Sequence, residues 1–211
     1  MKTQFSLLDL AEDDARIHLL HDAEEGIWYE PDVVPDDVQR QWLEQLQRDM
    51  PWRSERRPMY EREVQVPRLM ATFELSASDL HPVLQQAWAV VQQHLDAPFT
   101  HVGLNLYRHG QDSVALHHDR LHNLCPGQPI ALLSLGATRV MHIRPQAAGG
   151  ASLRVPLAPG SLLVMSHASQ KTHLHGIPKT TDAVGARISL GFRVRPHLGV
   201  TNLGQQVALQ R

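Results

Sequence analysis

One cysteine, Cys125, stands alone in 211 residues. An internal disulfide is therefore excluded, and such sparse cysteine suits a reducing compartment. No run reaches the roughly 18 apolar residues that a membrane-spanning helix needs. The opening stretch Met-Lys-Thr-Gln-Phe-Ser-Leu-Leu-Asp-Leu-Ala-Glu-Asp-Asp meets acids before any long apolar core. No signal peptide is expected from it, and a cytoplasmic location is. Charge of one sign is missing too: 20 Lys and Arg face 22 Asp and Glu, for a net charge of −2. The broad basic footprint common among nucleic-acid binders is absent, which leaves only local basic patches for that purpose. Internal repeats, low-complexity tracts and linkers are also lacking. What remains is an ordinary globular composition, 42% hydrophobic and 20% charged, of a length suited to one domain.

Residues 1–34 give a weak strand signal around Ile27–Tyr29. Acids at Asp36 and Asp37 follow Pro35, and Val38, Trp42, Leu46 and Met50 recur every four residues until Pro51. That pattern predicts an amphipathic helix with its acids at the positive end of the dipole. A second helix is expected over 78–96, capped by Ser78 or Asp79, with Leu80, Leu84, Ala87, Trp88, Val91 and Leu95 on one face. Trp88 on that stripe reads as core. Between the helices, residues 51–68 read as a solvated loop or hairpin, or as an arm that faces a substrate. Beyond residue 97 the period changes to short Val-, Ile-, Leu- and Thr-rich runs at 101–108, 113–117, 130–143, 152–157, 161–166, 172–177 and 186–195. Such runs predict an antiparallel sandwich or barrel. The whole is read as an α+β fold: helices and a substrate-side region over 1–96, a jelly-roll core over 97–197 and a tail over 198–211.

Chemistry concentrates in Asn105–Asp119. His117 and Asp119 stand two apart in a strand-like segment, where i and i+2 share a face and can grip one metal ion. With 14 His and 13 Asp in the chain, about one His-x-Asp arises by chance, and two occur. The other, His94-Leu95-Asp96, falls at the end of a predicted helix, where i and i+2 diverge. It reads as a solvated helix end. A third ligand could be His167, His173 or His175, and spacing alone does not choose among them. Two histidines and one carboxylate with open positions suit non-haem Fe(II). In the run 186–195, Arg187, Ser189, Gly191 and Arg193 share one strand face, and Ile188, Leu190, Phe192 and Val194 the other. The two arginines are either solvated or turned towards an anion inside the barrel.

Taken in order, Asn105-x-Tyr107, His117-x-Asp119, His175 and Arg187 with Arg193 resemble the AlkB family of Fe(II)/2-oxoglutarate dioxygenases. So do the segments 66–73, 129–139, 160–165 and 175–180. The resemblance implies a double-stranded β-helix (jelly-roll) core with N-terminal helices on its sheet. It implies His117, Asp119 and His175 as iron ligands and catalytic centre, with His167 and His173 as non-ligands. Arg187 becomes the partner of the distal carboxylate of 2-oxoglutarate, and Asn105, Tyr107, Ser189 and Arg193 further contacts to it. The implied reaction is oxidative demethylation of an alkylated base in DNA or RNA with release of formaldehyde. Met59 and Tyr60 would probe the duplex, Arg68 and Phe73 would line the substrate site, and Arg53, Arg56, Arg57 and Arg62 could meet phosphates. A monomer without an obligate protein partner or membrane is expected. Phe73-Glu74, where that family usually has Tyr-Gly, and Leu121, where many members carry an acid, point instead to a protein side chain or small molecule as substrate. A jelly-roll binding module without activity is the remaining alternative.

Overall fold

A computed structural model describes residues 16–59 and 62–196, with the side chains of 55–65 outside that description. The described residues begin with the strands Ile17–Leu20 (β1) and Ile27–Glu30 (β2). The helix Asp36–Asp49 (α1) follows, with Asp36 and Asp37 in its first turn. Its buried stripe comprises Gln39, Trp42 and Leu46, close to the predicted one. The strongly charged segment after Pro51 forms a hairpin, Arg53–Met59 (β3) against Arg62–Glu74 (β4), and β4 is one of the frame's long strands. The second helix, Pro82–His94 (α2), starts four residues later than predicted. Pro82 sets this boundary: proline fits the first helical position and holds the preceding residue out of the helical region. His81 is therefore the cap, accepting from the Val83 N–H at 3.2 Å, in place of Ser78 or Asp79. Trp88 packs against the core cluster, as expected.

Eight strands then follow: His101–Tyr107 (β5), Val114–His117 (β6), Ile130–Gly136 (β7), Arg139–Pro145 (β8), Leu153–Leu157 (β9), Leu162–Met165 (β10), His173–Ile177 (β11) and Arg187–Arg193 (β12). The single run predicted over 130–143 is thus two strands. They part at Gly136, whose φ of +81° and close approach to the Ala186 carbonyl oxygen leave no room for a side chain. The two strands enter different sheets. One sheet has the order β1-β2-β10-β7-β12-β5-β4-β3, the other β6-β11-β8-β9, and every pairing is antiparallel.

Two apolar layers hold this together. Ala131, Leu133, Leu135, Leu162, Val164, Ile188, Leu190 and Phe192 face α1 and α2. Their neighbours Ile130, Leu132, Leu163 and Met165 turn the other way, into the gap between the sheets, to meet Met141, Ile143, Val155 and Ile177. Alternation with period 2 therefore feeds two cores from one strand, which is why β7 and β10 are apolar throughout. The inter-sheet layer ends where β5 and β12 change character: on the same face they present Asn105, Tyr107, Arg187, Ser189 and Arg193.

Candidate metal and co-substrate site

β6 and β11 lie side by side in the small sheet, with His117 directly opposite His175. Their rings are 4.5 Å apart between centroids. Asp119 sits two residues beyond the end of β6, and its Oδ1 is 3.9 Å from His117 Nε2 and 4.0 Å from His175 Nε2. All three ligand atoms lie within 4.8 Å of one another. His117 Nδ1 is 2.9 Å from the Ala115 carbonyl oxygen, so a proton on Nδ1 donates there and leaves the Nε2 lone pair towards the cluster. Among the described residues this is the one such group. The choice that spacing left open among three histidines falls on His175, because it stands across the ladder from His117. His167 is buried in the loop after β10, and His173 Nδ1 lies 2.9 Å from Thr172 Oγ1.

Electrostatics prepares these groups as ligands. Burial, then the neighbouring His117, pushes the His175 imidazole down to about 3, and burial also lowers His117. Both rings are neutral at pH 7, the form that binds metal. Burial works to raise Asp119, but the charge and hydrogen bond of Arg193 outweigh it and hold the carboxyl below its usual range. Arg193 Nε donates to Asp119 Oδ2 at 2.6 Å, so Oδ1 is the oxygen left for an ion. The arginine reaches across because Gly191 and Gly103 leave its path open: a Cβ on Gly191 would lie 2.5 Å from Arg193 Nη1.

On the large sheet, Arg187 is 1% exposed. Its Nη2 donates to Ser134 Oγ at 2.9 Å, while its Nε is buried with no partner. Among the described residues no acidic side chain pairs with it, and burial pushes its pKa down to about 10. Tyr107, 4% exposed, has its ring 5.4 Å from this guanidinium and 5.7 Å from that of Arg139. Arg139 is itself spent on backbone, donating to the carbonyls of His109, Asp112 and Pro178 at 3.2, 2.9 and 2.6 Å. An unpaired guanidinium away from water is costly unless an anion completes it. The Arg187 pocket has the chemistry of a carboxylate site.

Other predicted residues divide. Asn105 Oδ1 accepts from Arg68 Nε at 2.7 Å, which ties the substrate-side strand β4 to the co-substrate face. Ser189 is buried opposite Asn105 in the ladder. Phe73 is a correction: it packs on the helix-facing core, paired with Val102, so it does not line the site. Its odd position puts it with Leu69 and Ala71, away from Arg68 and Met70. His94 is a second correction, for its Nδ1 lies 2.9 Å from Glu30 Oε1 and it is no free helix end. Tyr60 and the Met59 side chain lie outside the described residues. Ser134 and Arg139 were missed; their sole sequence signal was their place in the 129–139 segment.

A model of the 2OG-Fe(II) oxygenase superfamily matches residues 26–193. The chain belongs to that superfamily. Within it, the human DNA oxidative demethylase ALKBH2 is 33% identical over 147 residues, covering 61% of this chain and 56% of its own length. The human alpha-ketoglutarate-dependent dioxygenase alkB homolog 3 is 32% identical over 170 residues, covering 72% of this chain and 59% of its own. These similarities support the AlkB family. The chain thus spans somewhat over half the length of these curated relatives. A 2OG-Fe(II) oxygenase family oxidoreductase from Burkholderia pseudomallei shares the fold, with a TM-score of 0.55 at 12% identity over 81% of this chain and 86% of its own. This oxygenase family uses Fe(II) and 2-oxoglutarate. The residues fit both: two neutral imidazoles and a carboxylate for the metal, and a buried, unpartnered Arg187 Nε for an acid group.

Proposed function

We propose that this chain is an Fe(II)/2-oxoglutarate-dependent dioxygenase that oxidatively demethylates alkylated nucleobases in DNA or RNA, such as N1-methyladenine or N3-methylcytosine. The observation that carries the reading is the Arg187 guanidinium, 1% exposed with an orphaned Nε, set in the same barrel as the His117, Asp119 and His175 cluster. A dicarboxylate held at Arg187 and reaching the metal joins these two features; a plain metal site would leave Arg187 unexplained.

His117, Asp119 and His175 would hold the ferrous ion on one side, and Arg187 with Ser134 would hold the distal carboxylate of 2-oxoglutarate. When bound, the pair supplies oxidation of a C–H bond by O2, with 2-oxoglutarate going to succinate and CO2; a hydroxylated N-methyl group leaves as formaldehyde. The chain's own part is geometry and exclusion of water. Tyr107 and the buried Ser189 close the co-substrate face, Arg193 fixes which oxygen Asp119 offers, and Arg68 braces Asn105. Similarity to DNA oxidative demethylase ALKBH2 supports the nucleobase as substrate, reached by flipping it from the stack. Met59, the last residue of β3, and Tyr60, next to it in sequence, are the residues we assign to that probe.

The test measures formaldehyde release and 2-oxoglutarate turnover against methylated single- and double-stranded oligonucleotides. Release that depends on the methyl group and on Fe(II) is expected. Turnover of 2-oxoglutarate without formaldehyde from any oligonucleotide would move the substrate to a protein side chain or a small molecule.

A further inference from the structure

Arg193 holds the Asp119 carboxylate, but the Asp119 backbone lies beyond the strand ladder that fixes the two histidines. The ladder between β6 and β11 ends at the His117–His175 pair, so no strand neighbour fixes the backbone two residues further on. Its N–H is instead taken by a side chain from a distant segment, Gln170, whose Oε1 accepts at 3.1 Å. Gln170 is 1% exposed and sits in the short helix Ser169–Thr172 (α3), directly before β11. It therefore stands five residues ahead of His175 and touches the loop that carries Asp119. One side chain joins the two chain segments that together make the cluster.

The amide is held in one orientation. Its nitrogen lies 3.3 Å from Ser169 Oγ and 3.9 Å from Met165 Sδ, both acceptors, so its oxygen must face Asp119. Ser169 is fixed in turn: its Oγ donates to the Ser166 carbonyl at 2.7 Å and its N–H to Ser166 Oγ at 2.9 Å. Ser166 Oγ donates to Asp22 Oδ2 at 2.6 Å, and Asp22 Oδ1 accepts from the Glu24 and Gly26 N–H groups. Residues 161–167, 169 and 170 are all buried. A row of hydrogen bonds thus runs from the exposed Asp22, between β1 and β2, to the backbone of the metal-binding aspartate. Its inner part, Ser166, Ser169 and Gln170, is buried, and buried polar groups with satisfied hydrogen bonds rigidify what they join.

We infer that Gln170 is a positioning residue for the metal site, setting the Asp119 carboxylate against the two histidines. The inference rests on the metal reading of the preceding subsection. Groups that orient a ligand from behind typically change metal affinity by about 10–100-fold when removed.

The test titrates Co(II), as a spectroscopic stand-in for Fe(II), into the full chain and four variants, and records the d–d absorption bands. Gln170→Met keeps the length and loses the acceptor; it should weaken Co(II) binding by roughly 10–100-fold and shift the bands. Gln170→Glu keeps an oxygen for the Asp119 N–H and should stay closer to wild type than the methionine variant. A merely structural role would lower the melting temperature and leave affinity and bands unchanged, and that result overturns the inference. So does equal weakening in the two Gln170 variants. If Gln170→Met yields no folded protein, Ser169→Ala, which frees the amide to turn, should weaken binding several-fold; wild-type affinity there also overturns it. His175→Ala separates the two levels. Loss of binding in His175→Ala with a wild-type Gln170→Met removes the brace alone, whereas a wild-type chain that binds no Co(II) removes the metal reading with it.

Discussion

Arg187 and Ile188 are neighbours in β12 and equally buried, at 1% and 0% exposure, yet they do opposite things. On one face of the large sheet, Leu104, Leu106, Ile188, Leu190 and Phe192 pack against the helices, and transfer from water accounts for all of them. On the other face, Arg187, Ser189 and Asn105 are placed where burial alone penalises them. Equal burial thus carries two meanings. The helix side stabilises the fold, and the barrel side costs stability that a bound anion returns. The contrast predicts opposite signs for substitutions a few residues apart.

Phe192→Ala attacks the helix side and should show the largest stability effect. The ring is fully buried and tilts against Phe99 at 5.9 Å between centroids. Truncation should cost about 3–5 kcal/mol, read from urea unfolding of the metal-free protein. The 2-oxoglutarate requirement of whatever folds should be unchanged. A raised requirement would mean that the two faces are not separable.

Arg187→Leu attacks the barrel side. The charged partner of a carboxylate is lost, so the KM for 2-oxoglutarate should rise by roughly 10–100-fold, following the 1.5–3 kcal/mol of a hydrogen bond to a charged group. In the absence of co-substrate the variant should be as stable as wild type or more so, because an unpaired buried charge has gone. Thermal unfolding with and without 2-oxoglutarate reads both halves. A strong loss of stability without ligand would show that Arg187 is already paid for by the fold.

Gly191→Ala is a smaller disturbance on the same face. The new Cβ would lie 2.5 Å from Arg193 Nη1 and 3.1 Å from Leu132. Arg193 must shift, its 2.6 Å bond to Asp119 lengthens, and Asp119 is no longer confined to offering Oδ1. Metal affinity should fall several-fold with the fold intact. Affinity equal to wild type in a metal titration would show that the ion does not need Arg193 on the other oxygen.

The same contrast explains what could be read without coordinates. The helix face was legible because its reason is local: period 2 in β12 and a four-residue repeat in α1 need only the chain itself. The barrel face was legible in part. His117-x-Asp119 is a short-range pair, but the preference for His175 over His167 and His173 comes from ladder register, a long-range fact that only the family resemblance could anticipate. Phe73 was misassigned because its sheet face is set by pairing with Val102. The start of α2 lies at Pro82 and not at Ser78 or Asp79, because the ring holds the residue before it out of the helical region, which outweighs the capping side chains. Ser134, Arg139 and Gln170 had no local pattern to mark them, because each matters through a partner 27 to 53 residues away in sequence that folding brings alongside.

Acid should expose the smallest difference between the two faces. His175 has its folded pKa depressed to about 3, against an ordinary 6.5, chiefly by burial, and His117 is lowered in the same direction. The unfolded chain therefore binds more protons than the folded one below about pH 6.5, and stability must fall as pH drops from there. Asp119 is lowered as well, so its contribution is present above the ordinary carboxylate range and is lost only at still lower pH. Between pH 7 and 5 the metal-free protein should lose on the order of 1–2 kcal/mol through His175. The useful quantity is a difference between variants. His175→Leu should flatten the slope of unfolding free energy against pH, while Ile188→Val, on the helix face, should lower the curve and leave its slope alone. Parallel curves for wild type and His175→Leu would mean that His175 titrates alike in the folded and unfolded chain, so that burial does not hold it in the neutral form.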